Sequence, residues 1–163
     1  MKTNNNTELS NSYLSFKVGD ELFAAHVSKV LNILEMSTIT KVPQAPEYML
    51  GVINLRGSVL PLIDTRIKFG IKVTEFTTNT CIIVTEITQD GKLIHIGALV
   101  DSVQEVLEIE PDQILDAPNI GSKFKSEFIN GMYKTGESFI MLLNMDSIFT
   151  SDEVSIMNNH IEN

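Results

Sequence analysis

Few residues in this chain have the makings of chemistry: His26, His95 and His160, a lone Cys81, and the carboxylates of Asp64 and Asp101. A zinc centre takes ligands at short repeated spacings. Neither the histidines nor Cys81 show such a spacing, so no metal site is expected. A cysteine nucleophile needs a base and a group to orient it, and His95 is the only plausible base. His26 and His95 otherwise read as ordinary strand residues. Asp64 follows a strand and opens an i, i+3 pattern, which is the place of a helix cap. Asp101 reads as a turn residue. No dinucleotide, P-loop or nucleophile-elbow pattern occurs. The expectation is a protein without catalytic residues and without a cofactor.

What remains is a presented contact. The stretch PEYMLGVINLRGSVLPLIDTRIKFG, residues 46–70, reads as strand, tight turn, strand and capped helix. Arg56-Gly57 is the turn, Asp64 the cap and Gly70 the stop. Arg56 is a single cation at the tip of an otherwise apolar hairpin.

Composition narrows the class of partner. The 163 residues include 12 Lys+Arg against 21 Asp+Glu, a net charge of -9, with no basic cluster. That argues against a surface tracking nucleic-acid phosphates. Hydrophobic residues make up 43%, enough for a real core. No run approaches the roughly 18 apolar residues of a membrane span, and MKTNNNTELSNS lacks a signal peptide's apolar core. One cysteine fits a reducing cytoplasm. Membrane association is expected only through a partner.

The elements that must position Arg56 follow from pattern. YLSFKV and Glu21–Ala25 read as a hairpin around Gly19-Asp20. Val27, Val30, Leu31 and Leu34 fall at helical spacing, and Ser37–Val42 returns to strand. Cys81–Ile87 and Lys92–Val100 flank an Asp90-Gly91 turn. Val103, Val106 and Leu107 suggest a short amphipathic segment. Phe128–Tyr133 and Ser138–Leu143 form a last hairpin, followed by a helix capped by Asn144 or Asp146 and reaching Phe149 or Met157.

The chain also resembles itself. One offset brings Ala24 to Gly97, Val30 to Val103 and Ile33 to Val106. A slightly longer one brings Tyr48 to Phe128, Gly51 to Gly131, Leu62 to Leu142, Asp64 to Asn144 and Phe69 to Phe149. The difference implies extra residues in the 108–127 loop. Two similar small β-barrels are expected, each marginal alone. The expected organisation is a disordered lead-in at 1–12, one domain at 13–150 with approximate halves 13–75 and 80–150 open to strand exchange between them, and a tail or helix extension at 151–163. An apolar groove between the barrels is a natural place for a partner helix.

GVINLRGSVLPLIDTRIKFG preceded by VPQAPEYML, with YLSF, FAAHVSKVLNIL, IGALVDSVQEVL and INGMYKTGESFIMLLNMDSIF, resembles the CheW-type chemotaxis coupling proteins from Tyr13 to Phe149. The resemblance implies a mainly β fold: two five-stranded SH3-like barrels about a pseudo-twofold, with short helices and a C-terminal helix. It implies a cytoplasmic, non-catalytic adaptor between the helical tip of methyl-accepting chemoreceptors and the regulatory domain of the histidine kinase CheA. By position, Leu14, Val27, Val30, Ile33, Leu99 and Val100 would line the receptor groove. Arg56, Asn32 and Gly51 would serve coupling. Many members carry Glu where Asn32 stands; a partner ion pair made by that carboxylate would be lost or moved here, with Glu35 a partial substitute. A scaffold for a non-motility chemosensory kinase is the alternative within the family. A small-molecule-binding or enzymatic barrel is the alternative outside it, and would need a deep pocket lined by His95, Cys81 and a carboxylate.

Overall fold

The computed structural model describes residues 10–116 and 128–162. The expected N-terminal lead-in up to residue 9, and the extra loop residues expected after 116, lie outside these. Eleven strands are described: β1 (Ser12–Val18), β2 (Glu21–His26), β3 (Val30–Glu35), β4 (Met49–Leu55), β5 (Ser58–Asp64), β6 (Cys81–Gln89), β7 (Lys92–Val100), β8 (Ser102–Glu108), β9 (Ile114–Leu115), β10 (Ile129–Thr135) and β11 (Ser138–Leu143). Two α-helices accompany them, α1 (Thr65–Phe69) and α2 (Ser151–Glu162).

The strands form two sheets, ordered β8-β1-β2-β11-β10-β9 and β3-β6-β7-β5-β4. Each sheet draws on both halves of the chain. The β1–β2 hairpin lies between β8 and β11, and the β6–β7 hairpin lies between β3 and β5. Read in that order the sheets are copies. The parallel pairing of Leu62 with Gly97 recurs as Leu142 with Ala24, and these are the same matches, Leu62 to Leu142 and Ala24 to Gly97, that the sequence makes with itself. The β4–β5 pairing skips a residue between Met49 and Gly51, and the β10–β11 pairing does so between Ile129 and Gly131. Chain beyond β3 bridges Thr40 to Val52 on β4, and chain beyond β8 enters β9, which pairs with β10. Each sheet is thus curled towards closure, which leaves little open edge.

Glycine is needed at the matching bulges. A Cβ on Gly51 would stand 2.3 Å from the Thr40 carbonyl oxygen, and one on Gly131 would stand 2.7 Å from that of Leu115.

Three apolar clusters fill this arrangement. Ile53, Leu60, Leu62, Ile82, Val84 and Leu99 occupy one face of the five-stranded sheet, and Ala24, Ile109, Ile140 and Leu142 one face of the six-stranded sheet. The largest lies between the sheets, with Leu14, Phe16 and Phe23 from one and Ile63, Ile83, Ile87 and Ile96 from the other. Neither barrel is an independent body, because the shared core is the bigger one.

The helix expected from Val27 to Leu34 is instead a 3-10 turn, Val27–Lys29, followed by β3. A β-bulge explains the misleading period. Val30 pairs with Thr85 and Ile33 with Ile83, so β3 spends three residues where β6 spends two. An extra residue turns a period of two into an i, i+3 pattern. The amphipathic segment at Val103, Val106 and Leu107 is β8, bulged in the same way against Phe16 and Leu14. Of Ser37–Val42, Thr40 makes a β-bridge without a strand forming. The expected closing helix divides into a 3-10 turn, Met145–Ser147, and α2, which starts at Ser151.

Candidate functional site

Arg56 sits where the hairpin geometry makes a cation conspicuous. Leu55 pairs with Ser58, leaving Arg56 and Gly57 as a two-residue turn with φ of 55° and 87°. Both positive values mark the type I′ turn that suits strand twist, a turn normally built from Asn, Asp or Gly. The Gly57 N–H donates to Asn54 Oδ1 at 2.9 Å and stiffens it. An arginine in the left-handed region is disfavoured, yet it stands here exposed, and no ion pair engages it among the described residues. Val59 on β5 and Leu93, at the start of β7, are also exposed. The tip of the five-stranded sheet therefore combines an exposed cation with apolar surface.

The other proposed site residues separate into groups. Asn32 is exposed, and its Oδ1 accepts the N–H of Ile33 at 2.8 Å, so no carboxylate is offered there. Gly51 is buried and architectural. Leu14 and Val100 belong to the core between the sheets, with Val30 packed against it. Leu99 faces the other way, into the cluster of the five-stranded sheet. Leu14, Leu99 and Val100 are therefore wall and not surface, because neighbouring strand residues point to opposite faces and the core claims these. Val27 is half-buried in the 3-10 turn, and Ile33 is 43% exposed beside buried Ile83. Its equivalent Val106 is 58% exposed beside buried Leu14. Ile33 and Val106 thus form matched apolar rims of the inter-sheet core. Val106 was absent from the sequence-derived set, although the self-comparison places it opposite Ile33.

Two buried cations also escaped the sequence reading. Arg66 is 1% exposed and grips Asp64 through Nε and Nη2, both at 3.0 Å. Its Nη1 donates to the Thr74 carbonyl at 2.7 Å and reaches Asp101 at 3.5 Å. Asp101 in turn accepts the Gly19 N–H at 2.6 Å, tying β1–β2 to the other sheet. The hydrogen bonds Arg66 donates to Asp64 hold the guanidinium in its charged form more firmly than usual, against the cost of burial. Asp64 also caps α1 by accepting the Arg66 N–H, as the sequence suggested. The second cation, Lys68, points into three aromatic rings.

The geometry does not assemble a catalytic dyad. Burial pushes the Cys81 thiol up, away from the thiolate. Cys81 pairs with Val100, while His95 pairs with Glu86 further along the same ladder, a separation of about 17 Å at strand rise. His95 Nε2 instead meets Glu86 Oε2 at 2.9 Å on an exposed face. His26 closes the turn after β2: its Nδ1 accepts the Ser28 N–H at 3.1 Å, which leaves Nε2 to donate to the Ser10 carbonyl at 2.7 Å. Among the described residues no group of three or more His, Cys, Asp or Glu could hold a metal ion, and no helix is long and apolar enough to cross a membrane.

Comparisons with known proteins agree with one another. The model of the CheW-like domain matches residues 12–153. The chemotaxis protein CheW of Rhizobium meliloti is 37% identical over 151 residues, covering 93% of this chain and 92% of that one. The chemotaxis protein CheW of Thermotoga maritima is 33% identical over 143 residues, covering 88% and 89%. The crystal structure of the scaffolding protein TtCheW from Thermoanaerobacter tengcongensis superposes with a TM-score of 0.78 at 29% identity, covering 88% of this chain and 90% of that chain.

Proposed function

The chain belongs to the CheW-like domain family, and on that footing we propose that it is a non-catalytic adaptor coupling chemoreceptors to the histidine kinase CheA. The match over residues 12–153 carries this reading. Arg56, held exposed on a strained turn, is the residue assigned to coupling. The apolar rim of Ile33 and Val106, backed by Val30, is assigned to the receptor's helical tip. The adaptor works in the cytoplasm and reaches the membrane through receptors alone.

Its mechanism is binding geometry. An adaptor that held both partners equally tightly in every state would transmit nothing, so its contacts must differ between kinase-on and kinase-off arrangements. A rigid shared core suits this role, since a small shift at the rim is carried to the Arg56 tip without being absorbed between the barrels.

Co-sedimentation with receptor arrays and CheA, scored by kinase activity, tests the proposal. Arg56→Ala and Val30→Asp are expected to weaken the ternary complex. Circular dichroism must show Val30→Asp folded for its loss to count. Unaltered assembly and kinase activity with both folded variants would overturn the reading.

A further inference from the structure

The pseudo-twofold relation is visible in two aromatic contacts. Tyr48 meets Phe149 with centroids 5.9 Å apart, and Phe128 meets Phe69 at 6.1 Å. Tyr48 and Phe128 are equivalent positions of the two halves, and so are Phe69 and Phe149. Two backbone bonds repeat beside them: Asp64 N–H donates to the Tyr48 carbonyl at 2.9 Å, and Asn144 N–H to that of Phe128 at 2.7 Å.

Lys68 breaks the symmetry, for Ile148 holds the equivalent place. Its Nζ lies 5.3, 5.5 and 5.1 Å from the ring centres of Tyr48, Phe128 and Phe149, and 2.7 Å from Glu153 Oε2. The Lys68 side chain is only 10% exposed. Glu153 is committed twice. Its Oε1 accepts the Thr150 N–H at 2.9 Å, while its own N–H donates to Thr150 Oγ1 at 3.1 Å. This reciprocal capping box starts α2. Val154 and Met157 then bury themselves in the core between the sheets. The first half has no such ending: α1 stops at Gly70, left-handed at φ 74°, and residues 71–80 form no further helix. Packing next to the Lys68 contact is incomplete. A void of about 20 Å³ is lined by Lys68, Phe69, Met145, Ile148 and Phe149 among others.

We propose that α2 is a releasable strap that locks the two sheets against one another, with Lys68 as its catch. Lys68 belongs to the helix that ends the five-stranded sheet, whereas Phe128 and Phe149 flank the last hairpin of the six-stranded one. One carboxylate both starts the strap and docks it, so losing that carboxylate frays α2 and releases Lys68 together. Release uncovers Val154, Met157 and the aromatic pairs, and lets one barrel rock on the other. This goes beyond the coupling role and does not depend on it.

The test uses the full chain with Glu153→Ala, Lys68→Met and the pair combined. Hydrogen exchange over residues 151–162 is expected to speed up at least tenfold in each, with β6 and β7 protected as before. The double variant should fall short of the product of the two single effects, because the Lys68–Glu153 contact is lost in either single variant. Spin labels at exposed Leu93 and Phe139, in a Cys81→Ser background, report across the two sheets. Their distance distribution is expected to broaden in Glu153→Ala. If Lys68→Met does not fold, Glu153→Ala decides alone. Unchanged exchange in α2, a uniform rise over the whole chain, or an unbroadened distance distribution would each overturn the proposal.

Discussion

Arg66 and Asp146 hold equivalent places in the two halves, and they pin the two crossings between sheets with opposite charges. Arg66 reaches Asp101, where the chain passes from β7 to β8. Asp146 receives Lys29, where the chain passes from β2 to β3, with Nζ–Oδ2 at 2.9 Å. The two pins differ in burial: Arg66 is sealed, while Lys29 and Asp146 are each about one-third exposed.

Burial decides what each pin is worth. Arg66→Met leaves the Asp64 carboxyl enclosed without its partner, and breaking a buried pair from one side costs about 3–5 kcal/mol. Lys29→Met removes a partly solvated pair, worth roughly 0–1 kcal/mol. Urea unfolding is expected to show a large fall in midpoint for Arg66→Met and little change for Lys29→Met. Similar shifts for the two would refute the distinction.

Arg56 sets stability against function. Its φ of 55° suits Asn or Gly better, and a left-handed non-glycine residue costs on the order of 1 kcal/mol. Arg56→Asn is expected to raise the stability measured in urea by up to that amount while weakening assembly with receptor and kinase. A variant both less stable and unimpaired in assembly would contradict this.

Local chemistry made much of this legible in advance. Asp64, Gly70, Asp90-Gly91 and the Gly51–Gly131 match report their own surroundings, because caps and turns are specified by the residues that form them. Strand exchange between the halves stood as an option, but which hairpins exchange was not legible, since an offset in sequence says which strands are alike and is blind to which copy they pair with. The bulges in β3 and β8 imitated helices because an inserted residue changes the period. The groove set ran Leu99 and Val100 together, although adjacent strand residues face opposite ways. Arg66 and Lys68 went unnoticed because long cations are seldom enclosed, and a partner such as Asp101 or Glu153 is fixed only by the fold.

Gly51 offers a stringent check on the matched bulges. Gly51→Ala drives a Cβ to 2.3 Å from the Thr40 carbonyl oxygen, a backbone atom that cannot swing aside, whereas Gly57→Ala meets open space at positive φ. The first is expected to cost about 3 kcal/mol and the second about 1, following the usual sizes of packing and backbone strain. Thermal melts of the two variants compare them directly, and equal losses would rule out a steric role for Gly51.

Glu153 gives α2 an acid limit. Burial pushes its carboxyl up, but the contacts from Lys68 and from the Thr150 N–H and hydroxyl outweigh this and hold it below the usual carboxylate range. A carboxyl held low in the fold stabilises at pH above its unfolded value, and that stabilisation fades as pH falls through the folded one. Tyr48 is pushed up by burial and then by Glu153, so it remains neutral across the acid range. Helix α2 is therefore expected to stay docked at pH 5 and to loosen only below the ordinary carboxylate range. Hydrogen exchange over residues 151–162 against pH measures this, and Glu153→Gln should remove most of the acid-dependent change. A Glu153→Gln protein that keeps the full acid response would assign it to other carboxylates.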